Sequence, residues 1–89
     1  MGRVVAEFKI FPKDVSTDLD KLKESIKRNL PVNASVYKFD EEPIAFGLNL
    51  LIAYILMPEE ESGKMDDVER AIKRLDDVSE VEVEMVRRV

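Results

Sequence analysis

Apolar and polar positions alternate from Val4 to Phe11, with Val4, Ala6, Phe8 and Ile10 on one side and Val5, Glu7, Lys9 and Phe11 on the other. Patterning of period two predicts a strand with one face committed to a core. Pro12-Lys13-Asp14 breaks the pattern, and Ser16-Thr17-Asp18 offers cap chemistry before Leu19, Leu22, Ile26 and Leu30, which recur at helical spacing up to Pro31. A second strand is expected over 34–40, followed by Asp40-Glu41-Glu42-Pro43 as a connection, because Pro43 cannot donate inside a regular strand. From Leu48 to Met57 both faces are apolar, as in a central strand. Pro58-Glu59-Glu60-Glu61-Ser62-Gly63 reads as a polar turn, and Met65, Val68, Ile72 and Leu75 mark a second helix. Finally Val81, Val83 and Met85 alternate with Glu80, Glu82 and Glu84 in a one-faced strand.

The order β-α-β-β-α-β predicts an α+β fold, the ferredoxin-like sandwich. Right-handed crossovers give a four-stranded antiparallel sheet of order 4-1-3-2 with both helices on one face. Residues 1–89 are read as a single domain, since no linker, repeat or low-complexity stretch divides them. This topology sends the connection over 41–47 to one end of the sheet, and the first strand's start, the Pro58 turn and Arg87-Arg88 to the other. At ~3.3 Å per residue, a ten-residue strand separates those ends by roughly 30 Å.

Composition narrows the chemistry. The chain has 89 residues, with 14 Lys+Arg against 19 Asp+Glu and a net charge of −5. It has neither Cys nor His, so disulfides, thiolate nucleophiles, cysteine zinc sites, imidazole metal sites and histidine-based triads are all excluded. A net-acidic chain also matches a nucleic-acid backbone poorly. The sheet face is no better suited to RNA, because the first strand offers Glu7 and Lys9 where stacking aromatics would be needed. Charges at Arg3, Glu7 and Lys9 rule out an N-terminal signal peptide, and Leu50 to Met57 is too short to span a bilayer. A cytoplasmic protein is the expectation, without membrane, metal or cofactor.

The acidic runs Asp40-Glu41-Glu42 and Glu59-Glu60-Glu61 lack the loop spacing of a cation site and read as solvated turns. Glu80, Glu82 and Glu84 read as charges that discourage edge pairing. Lys64, Arg70, Lys73 and Arg74 decorate the second helix, with Glu69 four residues before Lys73. Two features go beyond this. Phe46 stands after a proline and beside Gly47 at a strand entrance, either packing on the core or left prominent. The chain ends on Arg87-Arg88, either simply solvated or two cations protruding from an acidic molecule. The third strand's outward face also offers apolar surface for a partner or for weak self-association.

Pro43-Ile44-Ala45-Phe46-Gly47, the acidic run before it, the apolar strand after it and the ending from Val78 to Arg88 together resemble the guanine-nucleotide-exchange domain family of elongation factor 1-beta, especially its archaeal members. The resemblance spans the whole chain. It implies a translation elongation factor that binds the GTPase elongation factor 1-alpha and speeds GDP release so that GTP can enter, with hydrolysis left to the GTPase. It implies that Pro43, Ile44, Ala45, Phe46 and Gly47 bind the partner, with Phe46 inserted into its second domain. A basic residue at the penultimate position, here Arg88, would reach toward the magnesium and phosphate region, with Arg87 or Arg3 able to contribute. Eukaryotic members carry Lys where Arg88 stands, and a Lys pair where this chain has Asn49 and Leu50. From topology alone, an ACT-like regulatory domain binding small molecules is the alternative. An acylphosphatase-like enzyme would want a glycine-bearing anion loop where this chain has Phe11-Pro12-Lys13-Asp14-Val15-Ser16.

Overall fold

A computed structural model describes residues 2–59 and 64–89. Its elements run β1 (Arg3–Pro12), α1 (Leu19–Asn29), β2 (Ser35–Pro43), β3 (Asn49–Pro58), α2 (Lys64–Lys73) and β4 (Val78–Arg88). The strands form one sheet of order β2-β3-β1-β4, all neighbours antiparallel, which is the ferredoxin-like arrangement.

One face of the sheet supplies the core. Ala6, Phe8 and Ile10 of β1 lie opposite Ile55, Ala53 and Leu51 of β3, and Leu22 and Ile26 of α1 with Val68 and Ile72 of α2 close over them. Asp18 caps α1 by accepting the Lys21 N–H at 3.1 Å. Leu30 is already extended, as a residue before proline prefers to be. It still packs against the core, as does Leu75 beyond the end of α2.

Three expectations need correction. Asp40-Glu41-Glu42-Pro43 is not a connection but the last part of β2, with Pro43 opposite Asn49. Proline is tolerated there because β2 is an edge strand, where a missing N–H on the open side breaks no ladder. The acidic run is therefore a solvated strand segment and not a turn: Glu41 meets Lys23 of α1 at 3.2 Å, and Asp40 accepts from the Tyr54 hydroxyl at 3.2 Å. Of the second run, Glu59 is exposed at the end of β3, whereas Glu60, Glu61, Ser62 and Gly63 lie outside the described residues.

The second correction concerns the outward face of β3. Leu50 and Ile52 are only 1% and 9% exposed, so the apolar strip expected there is covered in its middle, while Leu48, Tyr54 and Leu56 stay partly exposed. Third, Lys73 turns to Glu80 of β4 at 3.9 Å and not to Glu69 along its own helix. Glu80, Glu82 and Glu84 do line the exposed edge strand β4, and Glu84 also reaches Lys9 at 3.8 Å.

Candidate functional site: two ends of one sheet

Pro43, Ile44, Ala45, Phe46 and Gly47 form the tip of the β2–β3 hairpin, and all five are exposed. The Leu48 N–H donates to the Ala45 carbonyl at 3.0 Å, and the Ile44 N–H donates to the Leu48 carbonyl at 2.9 Å. The two central residues, Phe46 and Gly47, both have positive φ, 57° and 78°. Left-handed backbone at both central positions is what tight hairpin turns require, because it matches the twist of the flanking strands. Gly47 adopts it freely. For Phe46 the same conformation costs about 1–2 kcal/mol.

Phe46 is also 100% exposed, so core packing from the loop is excluded. A fully solvated aromatic ring on a strained backbone contributes nothing to folding. Such strain persists where a side chain must be aimed outward, and large exposed apolar groups mark interaction sites.

The opposite end carries the cations. Arg88 lies opposite Val4 and Arg87 opposite Val5, so both arginines belong to β4 and do not trail beyond it. The pairing is irregular: Glu7 faces Met85 but Phe8 faces Val83, leaving Glu84 as the extra residue of a β-bulge. Because side chains alternate between faces, one extra residue reverses every position after it. Val81 and Val83 share the helix face with Ile10 and Phe8. Met85, expected to join them, instead shares the open face with Glu7 and is 52% exposed.

Alternation puts the two adjacent arginines on opposite faces, and the reversal decides which takes which. Arg87 lies on the open face, beside Arg3, whereas Arg88 falls on the helix side. There its guanidinium pairs with the Glu59 carboxylate, while 80% of the Arg88 side chain stays exposed. Two backbone bonds brace this corner: the Glu59 N–H donates to the Gly2 carbonyl at 3.0 Å and the Val89 N–H to the Arg3 carbonyl at 3.1 Å.

Sequence reasoning did not find the bulge, the Glu59 partner or the division of the arginine pair. The one available signal was the Met85-Val86 doublet, where apolar positions stop alternating. Among the described residues no group of three or more Asp and Glu could hold a metal ion. No described helix is long and apolar enough to cross a membrane.

The fold and its two exposed ends define a small βαββαβ domain that offers an aromatic residue at one pole and cations at the other. The profile of the EF-1 guanine nucleotide exchange domain matches residues 5–89. Elongation factor 1-beta of Aeropyrum pernix is 45% identical over 89 residues, covering 100% of this chain and 99% of that protein. Elongation factor 1-beta of Staphylothermus marinus is 43% identical over the same shares, and that of Sulfolobus acidocaldarius is 41% identical over 86 residues, 97% of this chain and 96% of its own. The chain belongs to the elongation factor 1-beta family of guanine-nucleotide-exchange domains. Its role is guanine-nucleotide exchange in translation elongation, and the ACT-like alternative finds no support.

Proposed function

We propose that residues 1–89 act as one exchange domain on the GTPase elongation factor 1-alpha, docking through both ends of the sheet at once. Phe46, held out by the Pro43–Gly47 hairpin, inserts into an apolar pocket of one domain of the GTPase. Arg88 enters the nucleotide domain near the magnesium ion and phosphates. The observation that carries this reading is Phe46 itself, fully exposed on left-handed backbone and without a role in the core.

GDP is held largely by its phosphates and the magnesium ion between them, so a cation inserted there competes for the main electrostatic anchor. Arg88 suits this role because its one ion pair among the described residues, to Glu59, is a solvent-exposed one of the kind worth about 0–1 kcal/mol. Releasing the guanidinium therefore costs little. Arg differs from the eukaryotic Lys in its planar fork, which binds phosphate oxygens in pairs.

The chain forms no covalent bond with the nucleotide and needs no cofactor, nucleic acid or membrane, working in the cytoplasm beside the ribosomal cycle. Coupling is reciprocal: docking weakens GDP binding by the same factor that GDP weakens docking. The chain therefore sets how fast nucleotide exchanges and not which nucleotide prevails.

Release of a fluorescent GDP analogue from elongation factor 1-alpha, chased with excess GTP, tests the reading. Sub-stoichiometric amounts of this chain should accelerate release with turnover. A folded Phe46→Ala, Arg88→Ala double variant that still accelerates release at the unsubstituted rate would sink it.

A further inference from the structure

The open face of the sheet carries a groove of 590 Å³ at the arginine end, lined among others by Arg3, Lys38, Arg87, Tyr37, Tyr54 and Met85. Both edge strands are irregular at this level. The β4 bulge at Glu84 brings Met85 and Arg87 onto the open face, and a second shift in β2 between Val36 and Lys38 leaves Tyr37 as its extra residue, 64% exposed. Bulges re-aim side chains, and these two, from opposite edges, furnish the same groove.

Charge is divided along this face. Arg3, Lys38 and Arg87 surround the groove with Glu7 as the one described acidic side chain in its lining. The other half of the face carries Asp40, Glu42, Glu80 and Glu82 with Lys9. In a chain of net charge −5, three cations gather around one groove, against Glu7 in its lining and Asp40 beside Lys38. Lys38 is held in place, 4.7 Å above the Tyr54 ring and 3.8 Å from Asp40. Arg3 and Arg87 form no ion pair among the described residues. Burial and the nearby carboxylates of Glu7 and Asp40 raise the Tyr54 phenol above its usual range while Arg87 opposes them, as expected for groups converging on one site.

We infer that this groove receives an acidic segment of the GTPase, its carboxylates against Arg3 and Arg87 and an apolar side chain between Tyr37 and Met85. The volume suits a few side chains and not a folded domain. A polyphosphate strand is a poor occupant, because Glu7 and the acidic half of the face repel it. That the segment belongs to the GTPase rests on the exchange reading above, since the groove opens at the same end of the sheet as Arg88. Arg87 and Arg88, adjacent in sequence, then do different things: Arg88 acts at the nucleotide, and Arg87 holds the partner.

The test measures calorimetric affinity for nucleotide-free elongation factor 1-alpha and, separately, GDP release at rising concentrations of the full chain. Arg87→Glu and Arg3→Glu should each weaken affinity by about tenfold or more and flatten its salt dependence. Arg88→Ala should show itself chiefly in a lower release rate at saturation. Affinity within about twofold of the unsubstituted chain for both charge reversals, with thermal unfolding unchanged, would overturn the groove assignment. So would a charge-reversal effect seen on binding to transfer RNA and not to the GTPase. If the unsubstituted chain binds without accelerating release, the exchange reading fails. The groove still stands in that case, provided Arg87→Glu weakens that binding.

Discussion

At the hairpin end of the sheet one aromatic ring stands in water on a backbone that two adjacent residues determine between them. At the arginine end, the face on which each cation lies depends on how a strand seventy-odd residues later in the chain pairs with β1. Phe46 would be prominent in almost any fold that closed this hairpin, because the left-handed turn at Phe46-Gly47 is local chemistry. Arg87 and Arg88 have no such independence. As neighbours on a strand they take opposite faces in any case, and one bulged residue, Glu84, decides which takes which; without it their places would be exchanged. Local strain thus aims one contact and long-range register aims the other, and substitutions should separate the two.

The largest effect should come from removing the frame that both ends share. Phe8 is fully buried at the centre of β1, and Phe8→Ala should cost about 3–5 kcal/mol in denaturant unfolding, disabling both ends together. Phe46→Ala, an identical truncation, should leave unfolding free energy unchanged or slightly higher. It should weaken binding to elongation factor 1-alpha by about 2 kcal/mol, as for an interface anchor, which calorimetry reads directly. Equal stability losses in the two variants would abolish the distinction between frame and probe. Arg88→Ala should slow saturated GDP release by about tenfold, or 1.4 kcal/mol in the barrier, with stability within about 0.5 kcal/mol.

Gly47→Ala probes the hairpin end more gently. Nothing lies within 4 Å of the added methyl group, so the whole effect is backbone strain at φ 78°, about 1 kcal/mol in thermal or denaturant unfolding. A loss well above that would mean the tip packs against something.

The smallest effects are those of pH. Burial first, then Glu7 and Asp40, raise the Tyr54 phenol above 10.0, so on alkalinisation the unfolded chain loses its proton first. Stability should be full below that value and decline above it, and Tyr54→Phe should remove this part of the alkaline decline. Hydrogen bonds from Ser16 hold Asp14 below 3.8, so its contribution is present above that value and lost as pH falls through the lowered folded-state value. An Asp14→Asn chain should lack that acid-side slope.

Much of the architecture was legible before any coordinates. Alternation in β1, two-sided apolarity in β3 and two helical stripes sufficed for the order of elements, and crossover handedness then determined the sheet. Phe46 was legible as a candidate because a bulky residue beside Gly47 after a proline is a local anomaly. The fate of Asp40-Glu41-Glu42-Pro43 was not, since whether proline ends a strand depends on whether that strand is an edge, which is a property of the sheet. Likewise the covering of Leu50 and Ile52 depends on neighbouring strands.

The amino-acid sequence by itself determined the period of each element, the turn chemistry at Phe46-Gly47, the absence of thiol and imidazole chemistry and membership of the elongation factor 1-beta family. These are carried by residue types and short spacings. Only the tertiary structure decided that Arg88 meets Glu59, that Arg87 joins Arg3, Tyr37 and Tyr54 around one groove, and that Met85 leaves the core side. Each depends on register between strands far apart in sequence, where a single extra residue inverts every side chain that follows.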